Sequence, residues 1–304
     1  MTEQSNGGWA LAKRGASMDV VPVEGEPTTA VAGLRYLQVE TEAQRNQALA
    51  APRDERRVLE GAIAELNFAP DFAAKSFYVI PYRDYSGGQE KTVNVEGPGI
   101  KAAMALSRRW GNCSNGWRVV DEVDDKILVE GVFVDFESNT RTLRTVPVSK
   151  SYIPKSTKIK TPLNNQRLMI AIAAGGSKAV RNAVLAALPA YLVDSYYKEA
   201  KRLAGGGAPK GSKSGESVKE LWSKMEAAFV RLGVDKQTLG DYIASSADLD
   251  GLDEPSVLAH MRGIFNAIED GQTTASAVFG AKQDDKGKAG DGKVQGDMLG
   301  GGKG

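Results

Sequence analysis

The chain has 304 residues, 41% apolar and 25% charged, which suits an ordinary globular protein with one sizeable core and a smaller module. A single histidine (His260) and a single cysteine (Cys113) exclude an intramolecular disulfide and a Cys/His zinc site, which takes about four such ligands, and fit a reducing cytoplasm. The apolar runs fall short of the roughly 18 residues that read as a membrane span, and the opening "MTEQSNGGWALAKRG" lacks the apolar region of a secretory signal.

The net charge of +1 conceals a division. Residues 1–137 carry 15 basic and 21 acidic side chains, residues 138–204 carry 12 and 2, and residues 205–304 carry 12 and 15. From Ser138 to Val193 there are 56 residues, nine of them Lys or Arg, and no Asp or Glu. Ordinary surfaces intersperse both signs. A one-sign stretch of this length points to a polyanion: nucleic acid first, an anionic membrane or an acidic protein second.

In chain order, residues 1–40 are rich in Gly, Ser, Thr, Pro and Glu and read as a mobile arm, with a short strand at "RYLQVE". Helix is expected from Thr41, and Pro52 is expected to open a second helix at its first turn. In that helix Val58, Ala62, Glu65 and Leu66 share a core-facing stripe. "KSFYVIPYR" and "KTVNVE" predict a hairpin, Gly97-Pro98 ends it, and a helix follows over 98–110. Three further strands are predicted in "GWRVVDEV", "KILVEGVFVDFE" and "TRTLRTVPVSKSY", turning at Asp124-Asp125 and Ser138-Asn139. The loop "IPKSTKIKTPLNN" leads to the long helix "QRLMIAIAAGGSKAVRNAVLAAL" and then to a helix starting at Pro189. The β-β-α-β-β-β-α order defines an α+β class, an antiparallel sheet packed against helices. The expected organisation is an arm over 1–40, a core over 41–203, a flexible linker over 204–215, a helical module over 216–280 and a disordered tail over 281–304.

The candidate nucleic-acid contacts follow from this layout. Arg141, Arg144 and Lys150 lie on the last strand, Lys155, Lys158 and Lys160 in the loop, and Arg167, Lys178 and Arg181 on the long helix. At about 100° per residue those last three span about 60° of the helix surface, with the remaining, mostly apolar surface expected to be buried. Tyr152 sits inside the basic run and offers a ring for base stacking. Trp110 and Trp117 read as core anchors first and as stacking platforms second. Arg108 and Arg109 at the end of the helix over 98–110 read as phosphate contacts, or more simply as cations favoured at a helix C-terminus. Gly175-Gly176 inside a helix suggests close approach of another backbone, of a neighbouring subunit or of nucleic acid, or else a kink.

Other chemistries find less support. Asp121, Glu122, Asp124 and Asp125 cluster at a turn without the carboxylate pattern of a metal-dependent nuclease. His260 lies far along the chain from Cys113 and reads as a solvated or half-buried helix residue. "GGAPKGSKS" has Ser212 where a phosphate-binding loop requires Lys, so no ATP site is expected.

Three segments, "VEGPGIKAAMALSRRWGN", "VDFESNTRTLR" and "AAGGSKAVRNAVLAALP", resemble in order and spacing a family of phage-encoded proteins similar to the single-strand annealing recombinases of the RecT/Redβ/Erf type. Gly97, Pro98, Lys101, Trp110, Gly111, Asn112, Asn139, Thr140, Arg141, Gly176, Lys178 and Arg181 match its motif positions. Gly99 and Lys101 depart from the family's Ser and Arg, and Ala174-Gly175 stands where Asn-Gln is expected. The resemblance implies ATP-independent annealing of complementary single-stranded DNA by an oligomeric ring or filament in the cytoplasm of a bacterial host, with no cofactor, no membrane and no bond-making catalysis. It also implies that residues 216–280 dock a partner such as the host single-strand-binding protein or a phage exonuclease. The rival expectations are a coating protein that does not anneal, a metal-dependent nuclease, and a virion structural protein.

Overall fold

The computed structural model describes residues 29–84, 91–153, 159–209 and 217–280. Most of the expected arm, Lys155, Lys158 and the expected tail lie outside the described residues. The chain divides into two units, residues 1–43 and 44–304.

Helix α1 spans Thr29–Ala50, so "RYLQVE" is helical rather than extended. Leu37, Gln38 and Glu40 are good helix formers and continue into "TEAQRNQALA", and that run outweighs the β preference of Tyr36 and Val39. Helix α2 (Glu55–Phe68) starts later than Pro52 predicts, because the Asp54 carboxylate accepts the backbone N–H groups of Arg56 and Arg57 and caps the first turn. A short helix, α3 (Pro70–Ala74), leads into β1 (Phe77–Asp84), which pairs antiparallel with β2 (Lys91–Pro98).

Helix α4 (Ile100–Trp110) returns the chain to a three-stranded antiparallel sheet, β3 (Cys113–Val123), β4 (Lys126–Asp135) and β5 (Thr140–Ser149), with β4 central. Asp124 and Asn139 take left-handed backbone at its two turns, φ 51° and 53°, as the turn chemistry predicts. A two-residue ribbon, β6 (Ser151–Tyr152) with β7 (Thr161–Pro162), precedes α5 (Asn165–Ala187), which Asn164 caps. Helix α6 (Ala190–Ala204) follows. The fold is α+β, with its strands in small antiparallel sheets.

The principal core lies where α2, α4, α6 and the second half of α5 meet around Phe77, Leu106, Phe133 and Tyr196. A second cluster joins Val79 of β1 to α7 (Val218–Arg231), α8 (Lys236–Ser245) and α9 (Glu254–Glu269), followed by α10 (Ala275–Phe279). Asn266 of α9 donates to the carbonyls of Ala74 and Phe77, both at 2.8 Å, and Gly263 brings α9 close to Val79. The C-terminal helices are therefore built onto the β1–β2 hairpin. The expected flexible linker begins as packed chain: Gly205 is buried against the Pro255 carbonyl, where no side chain would fit.

Candidate nucleic-acid interface

The segment Val95–Asn112 serves the core before any ligand. Trp110 is buried, and its indole N–H donates to Asp135 at 3.0 Å. The Arg53 guanidinium lies 4.1 Å over the same ring, bonds Asp135 through both terminal nitrogens at 2.7 and 2.5 Å, and reaches Glu137 through Nε at 2.8 Å. Gly111 and Asn112 both take positive φ, 65° and 44°, and turn the chain so that the Asn112 amide also donates to Glu137 at 2.6 Å. Burial pushes the Glu137 carboxyl up, but the hydrogen bonds from Asn112 and Arg53 outweigh it and hold the group below its ordinary range. Trp110 is thus a core anchor. Arg53, Asp135 and Glu137, which sequence reasoning missed, complete the clasp; the only hint was a carboxylate ending the apolar run "VFVD".

Arg108 and Arg109 both pair with Glu65 of α2, at 3.0 and 2.8 Å. Both guanidinium groups make a helix–helix contact, because the acidic member of the α2 stripe sits opposite the end of α4, and the Arg108 side chain stays 66% exposed there.

Helix α5 crosses the three-stranded sheet at glycines. A Cβ on Gly131 of β4 would collide with the Ala179 backbone, one on Gly175 with Val148, and one on Gly176 with the ring of Trp117. The close approach that Gly175-Gly176 suggested is therefore to the protein's own sheet. Trp117, Gly131 and Arg144 form one cross-strand row on the face that α5 covers. Only part of α5 is buried, against expectation. Leu168, Ala171 and Ile172 reach the sheet, whereas Met169 and Ile170 are 71% and 63% exposed, because no described residue packs over the outer side of the first turns. By length and composition α5 could cross a membrane; its second half instead buries Ala179, Val180, Ala183 and Val184.

The predicted basic residues fall into two groups. Lys101 is 3.9 Å from Asp270, Lys150 2.6 Å from Glu122, and Lys160 2.9 Å from Asp125. Arg141, Arg144, Arg167, Lys178 and Arg181 make no ion pair among the described residues. Arg167 lies over Tyr152, 5.7 Å from its ring centre, which gives the predicted aromatic a cationic neighbour. On β5 the register separates Arg144, on the α5 side with Val146 and Val148, from Arg141 on the opposite face.

The stripe of α5 that carries Lys178 and Arg181 faces a cleft of about 650 Å³ between this helix, the β1–β2 hairpin and the turn after α9. Arg181 is 8% exposed, 4.8 Å from the ring centre of Tyr78, and donates to the Asn182 side-chain oxygen at 3.2 and 3.3 Å. Burying an unpaired guanidinium costs several kcal/mol, of which a cation–π contact returns about 0.5–2.

The acidic turn does not gather its carboxylates. Glu122 holds Lys150, and Asp125 holds Lys160 and the Ser151 hydroxyl. Those hydrogen bonds, Ser151 first, keep Asp125 below its usual range. His260 is buried in α9, more deeply than expected, and burial lowers its affinity for a proton. Burial likewise pushes the Cys113 thiol up; it donates to the Ser107 carbonyl.

Compared with protein-family models, with curated proteins and with solved structures, this chain gives no match.

Proposed function

We propose that the chain binds single-stranded DNA and promotes pairing of complementary strands without ATP, as a non-catalytic recombination protein of phage type acting in a bacterial cytoplasm. The observation that carries this reading is the row of cations without carboxylate partners among the described residues, Arg167, Lys178 and Arg181 along one stripe of α5 with Arg144 beside it. A backbone of phosphates supplies the missing counter-charge, and the Tyr152 ring supplies a surface for a base. Lys150 and Lys160 already pair with Glu122 and Asp125, which reduces the charge they offer a phosphate. The exposed Met169 and Ile170 support self-association, which would align long tracts. Residues 216–280 are the proposed dock for a host single-strand-binding protein or a phage exonuclease.

The test is fluorescence-monitored pairing of complementary oligonucleotides without ATP over a salt series. Acceleration with a log–log slope of about −0.7 per phosphate contact supports the proposal. Binding without acceleration makes the chain a coating protein, and magnesium-dependent loss of labelled DNA makes it a nuclease.

A further inference from the structure

The cleft beside α5 is more than a continuation of a charged surface. Its volume, about 650 Å³, is that of a small-molecule site, and most of its wall is apolar: Ile80 and Val95 from the hairpin, Ile100 from α4, Val146 and Val148 from β5. Arg181 is more than nine-tenths buried and lines it. Its Nε and Nη2 share one neutral acceptor, the Asn182 side-chain oxygen, and its Nη1 has no hydrogen-bond partner among the described residues. Lys178 lies three residues away on the same lining. The lining's one carboxylate, Asp270, already has Lys101 at 3.9 Å. Ser177 and Gln272 add neutral hydrogen-bonding groups.

A buried fork of donors beside an apolar wall suits a ligand with one anionic group on a flat, weakly polar body. We propose that this cleft binds a single nucleotide unit, its phosphate held by Arg181 and Lys178 and its base lying against Tyr78 and Val95. This deepens the DNA reading and rests on it for the source of the nucleotide: a unit of the bound strand, or a free nucleoside monophosphate. An extended surface that only tracked phosphates would have no use for a guanidinium sunk in an apolar recess, since exposed cations do that work.

The experiment titrates the full chain calorimetrically with dTMP and dAMP, with thymidine and deoxyadenosine, with inorganic phosphate, and with an oligo-dT strand. The nucleotides are expected to bind at least about tenfold more tightly than the nucleosides and than phosphate. Arg181→Lys keeps the charge but loses the fork, and is expected to weaken nucleotides. Ala174→Phe fills the cleft from an exposed helix position without touching a charge, and is expected to abolish nucleotide binding at an unchanged melting temperature. If the source is the strand, dTMP competes with oligo-dT and Ala174→Phe weakens both. If the source is a free nucleotide, Ala174→Phe leaves oligo-dT binding intact. Nucleosides or phosphate binding as tightly as nucleotides overturns the assignment, and so does nucleotide binding unaffected by Ala174→Phe. Oligo-dT binding with no nucleotide binding at about 1 mM overturns the cleft and leaves the DNA reading standing. Nucleotide binding with no oligo-dT binding does the reverse.

Discussion

The guanidinium of Arg53 lies 4.1 Å over the Trp110 ring while its terminal nitrogens hold Asp135, the same carboxylate that accepts the indole N–H. Three parts of the chain distant in sequence, the residue before the α2 cap, the end of α4 and the end of β4, are tied at one point.

Removing Arg53 leaves Asp135 and Glu137 partly buried without their cation. Arg53→Ala is expected to cost about 3–5 kcal/mol in denaturant unfolding. Arg108→Ala, whose side chain is 66% exposed in its pair with Glu65, is expected to cost no more than about 1 kcal/mol.

The clasp also sets a pH dependence. Glu137 titrates below its ordinary range in the folded chain, so its contribution is whole above the unfolded value near 4.3 and is lost as pH falls through the lower folded one. Urea midpoints of the wild type are expected to drop on acidification below about pH 5 more steeply than those of Glu137→Gln. Asp125, Glu220, Asp235 and Asp253 are also held low and contribute to both curves, so the difference between the curves isolates Glu137.

The glycines beneath α5 separate by what they touch. Gly131→Ala drives a Cβ into the Ala179 backbone, which cannot rotate away, and is expected to destabilise by about 3 kcal/mol or more. Gly176→Ala meets the Trp117 ring, which is 45% exposed and free to swing outward. A smaller loss, with a red shift in tryptophan emission, is expected there.

On DNA, Lys178→Ala and Arg144→Ala are each expected to weaken oligo-dT binding and to flatten its salt slope by about 0.7, the value of one phosphate contact. The double change Arg108→Ala and Arg109→Ala is expected to leave affinity within about twofold, because both side chains lie at the α2–α4 contact and not on the α5 stripe. Equal losses from both sets would remove α5 as the binding element.

Local chemistry made much of this fold legible. The turns at Asp124 and Asn139, the hairpin and the three later strands follow from alternation and turn residues, and α5 from its long apolar run, all signals that act over a few positions. The stripe Val58, Ala62, Glu65 and Leu66 was visible too, but not what meets it: Glu65 faces α4, more than forty residues on. Arg53 escaped notice because its carboxylates lie 82 and 84 residues away. The cleft was illegible for the same reason, being assembled from the hairpin, β5, α5 and the turn after α9. Periodicity gave the 60° basic stripe; the packing of Gly175 and Gly176 on the sheet turns its Lys178 and Arg181 toward that cleft, while Arg167 lies by Tyr152.

The attachment of α9 to β1 bears on how this gene product can be divided. The bond from Asn266 to the Ala74 and Phe77 carbonyls and the burial of Val79 among α7, α8 and α9 are non-covalent. Residues 1–209 and 217–304 made as separate polypeptides would therefore behave as a split protein. The larger half alone would present Val79 as a sticky surface, and the smaller half would restore it by docking. Neither would be a domain that can be trimmed away.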